Sequence, residues 1–205
     1  MAWFRNIYIC FVCLMLLGCD IYGHFIWNEG RRYIESVSSI KWPNDQSGID
    51  SIISIDGFFC PKSEYGYLYD RWSFYDEGSV LVYSGWRNGP WAVDSLDIKE
   101  DWSRKGIYTI SKDTLIANMY SRVELGQWEL STYKFLIINK DMLFLLDRKV
   151  KRQNIEYNWS GCIAYIFHRR TSKPKPKHYL KCIKWLWKDQ EAWSEWMKNN
   201  GYKAK

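Results

Sequence analysis

The stretch of sequence that decides the fold is Arg71-Trp72-Ser73-Phe74-Tyr75-Asp76-Glu77-Gly78-Ser79-Val80-Leu81-Val82-Tyr83. Two runs rich in aromatic and β-branched residues flank a three-residue turn, and such runs favour strands. Gly78 can supply the left-handed backbone conformation that a three-residue hairpin loop needs. The stretch therefore predicts an antiparallel β-hairpin.

The same layout recurs twice further along the chain. Residues 107–110 and 114–120 form one pair of strand-like runs, and residues 133–138 and 142–146 form another, each pair separated by a three-residue polar turn. Alternation in the second run of the first pair places three apolar side chains on one face of a strand: Leu115, Ala117 and Met119. Both pairs therefore predict further hairpins.

The number of strand-like runs limits the architectures that the chain can form. Further runs lie near residues 53–59 and 65–69, and in the last strand Ile163, Tyr165 and Phe167 share one face. About eight antiparallel strands can close into a barrel that leaves no exposed edge, with an interior that is just filled or holds one small ligand. We therefore predict an all-β protein with an antiparallel β-barrel over residues 49–170.

The chain beyond the barrel differs in composition. Lys173-Pro174-Lys175-Pro176-Lys177 cannot continue a strand, so residues 171–178 are predicted to form an extended connector. Residues 179–200 have apolar side chains at helical spacing and lysines opposite, which predicts an amphipathic C-terminal α-helix. Its Trp-rich face has three candidate partners, namely the barrel wall, anionic lipid or another protein. We expect the barrel wall.

Charge is distributed unevenly along the chain. The formal net charge is +6, but the excess of lysine and arginine lies in the tail after residue 168, and residues 19–168 are slightly acidic. A duplex-binding domain needs basic side chains spread over a folded surface. No nucleic-acid partner is therefore expected.

The first twenty residues carry an export signal. Arg5 precedes an uncharged apolar run at residues 7–17, which is too short to span a hydrocarbon core of about 30 Å as a helix. The run ends in Leu16-Leu17-Gly18-Cys19, which resembles the lipobox of bacterial lipoproteins. The resemblance implies cleavage between Gly18 and Cys19, acyl chains such as palmitate on Cys19, and membrane contact through that anchor. Residues 1–18 are then the signal peptide, and residues 19–48 a tether with an irregular segment.

Several segments of the predicted barrel carry a family resemblance. Ile55-Asp56-Gly57-Phe58-Phe59, residues 74–80, residues 106–115 and residues 135–138, together with the lipobox, resemble lipocalin-like lipoproteins of the Bacteroidetes. The similarity covers roughly residues 50–168. It implies a lipocalin-like barrel anchored in the cell envelope, and it leaves open the ligand, the choice between inner and outer membrane, and the side of that membrane.

Three short motifs resemble the Asp-Ser/Thr-apolar acceptor pattern for O-glycosylation in those bacteria. They are Asp50-Ser51-Ile52, Asp94-Ser95-Leu96 and Asp113-Thr114-Leu115. The resemblance implies Ser51, Ser95 and Thr114 as candidate O-glycosylation sites. The same residue pairs also occur at turns without any sugar, because their side chains hydrogen-bond the local backbone.

Cysteine and histidine usage argues against metal binding and catalysis. Beyond Cys19, the mature chain has Cys60, Cys162 and Cys182, of which two can form one disulfide, and the sequence leaves the pair open. No metal-ligand spacing is present among them. None of the three histidines is placed to activate a nucleophile. We therefore expect no metal, no cofactor and no enzyme activity.

Aromatic residues are the remaining functional signal, at 18% of the chain. Trp86 and Trp91 flank Arg87-Asn88-Gly89-Pro90 in a predicted loop and offer flat rings beside polar groups, as sugars and apolar ligands require. The sequence therefore predicts a cell-envelope lipoprotein whose barrel binds a small apolar or glycan ligand. The alternative is a non-enzymatic structural lipoprotein with a filled barrel, which docks a protein partner through the C-terminal helix.

Overall fold

Eight antiparallel strands form a closed β-barrel in the computed structural model. The structure describes residues 31–32, 34–44, 46–62, 69–85, 103–122, 128–152, 155–170 and 178–202. The strands are β1 Gly57–Pro61, β2 Tyr69–Phe74, β3 Ser79–Gly85, β4 Ser103–Ser111, β5 Thr114–Arg122, β6 Trp128–Asn139, β7 Met142–Arg152 and β8 Ile155–Arg169. Each strand pairs with its neighbours in sequence, and β8 closes the barrel against β1. The predicted all-β fold is confirmed.

The three predicted hairpins are all present, as β2–β3, β4–β5 and β6–β7. Gly78 has a φ of 83°, in the left-handed region, and a Cβ atom there would collide with the backbone carbonyl of Asn44. Glycine is therefore required at this turn on both conformational and steric grounds. In the second hairpin, Lys112 takes the left-handed position with a φ of 55°.

The barrel has two different ends. The three tight turns lie at one end, which we call the floor. At the other end, the mouth, the strands are connected through residues 63–68, 86–102, 123–127 and 153–154, all outside the described part of the chain. The floor is covered by Asn44 and residues 46–56, in which Ile49 and Ile53 are buried against the barrel interior. Backbone hydrogen bonds tie this cover to two turns, from Gln46 N to Asp76 O at 2.9 Å and from Ser54 N to Lys140 O at 2.8 Å.

The barrel interior is packed around Trp72. Its ring centroid lies 4.6 Å from that of Tyr133, 5.0 Å from that of Phe135 and 6.2 Å from that of Phe74. The faces predicted from alternation in β5 and β8 belong to this cluster: Leu115, Ala117, Met119, Ile163, Tyr165 and Phe167. The interior between the floor and Trp72 is therefore occupied by side chains.

This packing predicts a large loss of stability for Trp72→Ala. We expect the free energy of unfolding to fall by about 3–5 kcal/mol, because the fully buried ring leaves a cavity that its neighbours cannot fill. Urea unfolding followed by circular dichroism measures the change. Trp159→Ala is the matched control, since Trp159 is 42% exposed and should cost much less. Equal losses for the two variants would contradict the packed interior.

A second core lies outside the barrel, on the face of β4–β6, and both ends of the described chain build it. Its buried members are Ile34, Ile40, Trp42, Ile107, Tyr120, Trp128, Leu130, Leu180, Trp185 and Leu186. Ser38 Oγ lies 2.6 Å from the hydroxyl oxygen of Tyr120. The segment predicted to be irregular is therefore partly ordered here, with helical residues at 31–32 and 34–37.

The two chain ends also pair with each other. Trp42 N donates to Leu186 O and Lys188 N donates to Trp42 O, both at 2.7 Å, which forms a parallel bridge between Trp42 and Trp187. Lys41 Nζ donates to Trp185 O at 2.7 Å. Residues 179–188 therefore belong to the folded body of the barrel.

The helix predicted over residues 179–200 is shorter than expected. His178–Cys182 and Lys184–Leu186 are 3-10 helices, and only Gln190–Asn199, here called the C-terminal helix, is α-helical. Trp187 is extended because it pairs with Trp42, and the Asp189 side chain then begins the helix by accepting from Glu191 N at 2.8 Å.

Docking of the tail on the barrel wall is confirmed. The Trp185 ring contacts Tyr120 and Trp128, at centroid distances of 5.8 and 6.3 Å. Trp193 and Met197 on the C-terminal helix are buried as well. Within the described residues, no helix has both the length and the apolar character needed to span a membrane.

Candidate ligand site at the barrel mouth

A β-bulge changes which side chains of β7 face the barrel interior near the mouth. Leu146 has no partner in the register with β6 or with β8. On β6, Leu145 and Asp147 pair with two consecutive residues, Phe135 and Lys134. A one-residue shift exchanges the two faces of a strand. Leu145 faces the interior below the bulge, and Arg148, Val150 and Arg152 face it above. The bulge thus brings two guanidinium groups to the mouth.

The first ion pair at the mouth joins β2 to β4. Arg104 Nη2 lies 2.5 Å from Asp70 Oδ2, and Arg104 Nη1 donates to the Tyr133 hydroxyl at 2.9 Å. Burial alone would lower the pKa of Arg104, but Asp70 and Tyr133 outweigh it and hold the pKa above its ordinary value. Burial also raises the pKa of Tyr133, which stays a neutral hydroxyl. This contact fixes the Tyr133 ring.

The second ion pair joins β6 to β7. Arg152 Nε lies 2.5 Å from Glu129 Oε2, and Ser131 Oγ donates to Glu129 Oε1 at 3.1 Å. Both carboxylate oxygens of Glu129 therefore have a partner, and its side chain is only 10% exposed. Each of these two arginines is therefore matched by a carboxylate.

Arg148 is not matched in this way. Its guanidinium carbon lies 5.2 Å from the centroid of the Tyr133 ring, a cation–π contact. No ion pair joins it to any residue that the structure describes, and its buried Nε has no hydrogen-bond partner there. Arg148 therefore places one positive charge at the mouth that no carboxylate of the described residues matches.

The inner face of β8 continues past the packed core as three exposed side chains, which we call the mouth row. Ile155 is 41% exposed, Tyr157 59% and Trp159 42%. In register they lie opposite Arg152, Val150 and Arg148 of β7. Within the described residues, β1 covers the other edge of β8 only from Ala164 onward.

The position of the Trp159 ring depends on a glycine. A Cβ atom at Gly161 would overlap the Trp159 indole, so the ring lies on the bare backbone two residues along the strand. The mouth thus presents a flat, half-exposed indole on the β8 residue that pairs with Arg148 of β7.

Most of the site residues predicted from the sequence lie elsewhere or outside the described residues. Trp86 and Trp91 come after β3 in the sequence and lie outside the described residues, as do Gly18, Cys19 and Ser95. Ser51 and Thr114 are described, and both lie at the floor. Ser51 Oγ donates to Gly48 O at 2.7 Å and Thr114 Oγ1 to Asp113 Oδ1 at 3.2 Å, so each hydroxyl makes a local turn contact. The structure does not bring these two residues to the mouth.

The three described thiols are unpaired. Cys60 is buried, Cys162 is exposed and Cys182 is half-buried, so the disulfide that the sequence left open is not formed among them. Burial raises the pKa of both Cys60 and Cys182 and keeps these thiols protonated. His168 stacks on Phe58, at a centroid distance of 5.6 Å. Within the described ranges, no group of three His, Cys, Asp or Glu side chains could hold a metal ion.

The sequence analysis missed the polar residues of the mouth. One signal was available, because Val150 is out of phase with the alternation of Leu143 and Leu145, as a bulge between them requires. Comparison with protein-family models, with curated proteins and with solved structures finds no match for this chain. The chemistry of the site therefore rests on its own residues, an indole and a guanidinium at paired strand positions near the mouth of a packed barrel.

Proposed function

We propose that this chain is a lipid-anchored, non-enzymatic binding protein of the bacterial cell envelope, and that its lipocalin-like barrel binds a small glycan at the mouth. The observation that carries the proposal is the mouth row, which leaves Trp159 and Tyr157 half-exposed in a setting of polar and charged side chains. Aromatic rings stack on the apolar faces of sugars, while neighbouring polar groups take the hydroxyls.

The packed interior argues for a glycan at the mouth over an apolar ligand held deep in the barrel. A deep apolar site would need the space that Trp72, Phe74 and Phe135 occupy, and all three are fully buried. The described side chains that remain available to a ligand lie above Trp72, where aromatic and charged groups accompany Val150 and Ile155. Such a surface suits a ligand with both hydroxyls and flat apolar faces.

The lipid anchor rests on Leu16-Leu17-Gly18-Cys19 and on the apolar run before it. Two or three acyl chains at about 0.8 kcal/mol per buried CH₂ group would hold the protein on a membrane for as long as it exists. A binding site on a permanently anchored barrel would retain its ligand at the envelope.

Trp159→Ala is expected to weaken glycan binding at least about tenfold, since a central aromatic contact typically dominates such a site. The mature chain without lipid is first applied to a glycan array, and the best oligosaccharide is then titrated by calorimetry. Asn158→Ala is the matched control, because it is the next residue on the opposite face of the same strand. The neutral apolar probe N-phenyl-1-naphthylamine should not compete with the glycan.

Two outcomes would overturn the glycan proposal. One is tight binding of the apolar probe that Trp159→Ala does not change, which would locate a ligand elsewhere. The other is equal weakening by Trp159→Ala and Asn158→Ala, because Asn158 does not share the inner face.

A filled structural barrel is the second candidate function, and the packed interior favours it. For this function the sequence predicted a partner surface on the Trp-rich face of the tail. That face is buried in the structure, where Trp185 and Trp193 are each 7% exposed. A protein partner would instead need the outer face of the C-terminal helix. An array on which the protein captures no glycan would favour this candidate.

A further inference from the structure

We propose that the glycan bound at the mouth is acidic, and that Arg148 holds its carboxylate while Trp159 stacks on the sugar ring that bears it. The inference rests on the proposed function and names the class of ligand. It follows from three features of the described mouth: its charge balance, the position of Arg148 relative to Trp159, and the way in which Tyr133 holds the guanidinium.

The charge balance singles out Arg148. Among the residues that the structure describes, the inner face of the mouth has three guanidinium groups and two carboxylates, and Asp70 and Glu129 each lie 2.5 Å from an arginine other than Arg148. In each of these two ion pairs, the carboxylate neutralises its own arginine. A neutral ligand would leave the charge of Arg148 without a carboxylate partner among the described residues of a partly buried site, whereas an anionic ligand would compensate it.

The register places the charged residue and the tryptophan at paired positions. Arg148 on β7 and Trp159 on β8 are directly opposite each other in the antiparallel ladder. Side chains at opposite positions on one face have Cβ atoms about 4.5–5.5 Å apart, close enough to contact one ligand together. In a uronic acid the carboxylate is bonded directly to a ring carbon. The sugar ring can therefore contact Trp159 while the carboxylate contacts Arg148.

The guanidinium is also held in place before a ligand arrives. It lies over the Tyr133 ring at 5.2 Å, and the Tyr133 hydroxyl accepts from Arg104 at 2.9 Å. Tyr133 itself is buried and packs against Trp72. A guanidinium fixed in this way loses little freedom on binding, and its planar donors match a carboxylate in two parallel hydrogen bonds.

The test compares acidic sugars with their own esters. The probes are uronic-acid oligosaccharides, each paired with its methyl ester, which keeps the ring and removes the charge. We expect the wild-type protein to bind at least one acid about tenfold or more tightly than its ester, as one charge-assisted contact would provide. Arg148→Gln should lower the affinity for the acid to that for the ester and leave the affinity for the ester unchanged.

Two further variants keep the test decisive. Lys149→Gln removes a positive charge from the next residue on the opposite, exposed face of β7 and should leave both affinities unchanged. Arg148→Lys keeps the charge but loses the planar donors, so it should retain part of the preference for the acid. The urea unfolding midpoint shows whether Arg148→Gln folds. If it does not fold, Arg148→Lys replaces it in the comparison of acid and ester. In the wild type, the Arg148 Nε–H resonance should shift with the acid and not with the ester.

The outcomes separate the two proposals. Equal affinities for acid and ester, both weakened by Trp159→Ala, would overturn the acidic ligand and leave the glycan site standing. A preference for the acid that Arg148→Gln and Lys149→Gln weaken equally would also overturn it, because general surface charge would then be responsible. Binding of neither form, with no other glycan captured on the array, would overturn the proposed function and this inference together.

Discussion

Cys19→Ala is expected to abolish lipid attachment completely and to leave the precursor uncleaved. The lipobox reading makes the Cys19 thiol the acceptor of the diacylglyceryl group, and the signal peptidase of that pathway cuts only the modified precursor. Without the thiol, neither step can take place. Incorporation of labelled palmitate and the intact mass of the purified protein measure the two effects.

The chain provides a matched control for this experiment. Cys13→Ala also removes a thiol from the first twenty residues, but Cys13 lies inside the apolar run of residues 7–17. It should leave both labelling and cleavage unchanged. Label on the Cys19→Ala protein, or loss of label in both variants, would contradict the lipobox reading.

Truncation after Arg170 is expected to destroy the cooperative unfolding of the barrel. The tail contributes Leu180, Trp185 and Leu186 to the second core, and all three are buried. Burying a large apolar side chain contributes about 1.5–3 kcal/mol. Their combined loss is about 5 kcal/mol or more, which is comparable to the whole stability of a typical domain, about 5–15 kcal/mol.

The control for this truncation is a chain that ends after Tyr202, since the second core then stays complete. Thermal unfolding followed by near-ultraviolet circular dichroism compares the two. The shorter chain should show no cooperative transition, and the longer one should unfold like the full protein. A shorter chain that unfolds cooperatively at the same temperature would show that the inner core is sufficient.

The hairpins could be predicted from the sequence because their signals are local. Gly78 between two β-branched and aromatic runs specifies a turn within a few residues, and the alternation of Leu115, Ala117 and Met119 specifies the buried face. Closure of eight strands then follows from the need to leave no sheet edge unpaired.

The second core could not be predicted, because it depends on contacts distant in sequence. The Lys-Pro connector indicated a separate tail, and helical spacing indicated one continuous helix over residues 179–200. Instead, residues 183 and 187 are extended and interrupt that helix, and Trp187 pairs with Trp42. The outer face of β4–β6 is apolar at Ile107 and Leu130, and this was the available sign that something covers it.

The mouth could not be predicted because a single bulge decides it. Simple alternation through β7 places Asp147, Lys149 and Lys151 on the same face as Leu145, and the skip at Leu146 exchanges them for Arg148, Val150 and Arg152. The phase of Val150 is the only local sign of this register shift that the strand offers, since the cause of the shift is the fit of β7 between two neighbouring strands.

The bridge between the two ends of the chain has a consequence for the order of events during synthesis. Lys41 and Trp185, which are joined by a hydrogen bond, are 144 residues apart. All eight strands are therefore translated before the last piece of the outer cover exists, and until then the apolar wall of β4–β6 has no complete shelter from water. Contacts between residues so distant in sequence are costly to close and form slowly. The barrel can assemble as the chain emerges, but its outer wall is complete only after residues 180–188 have been made.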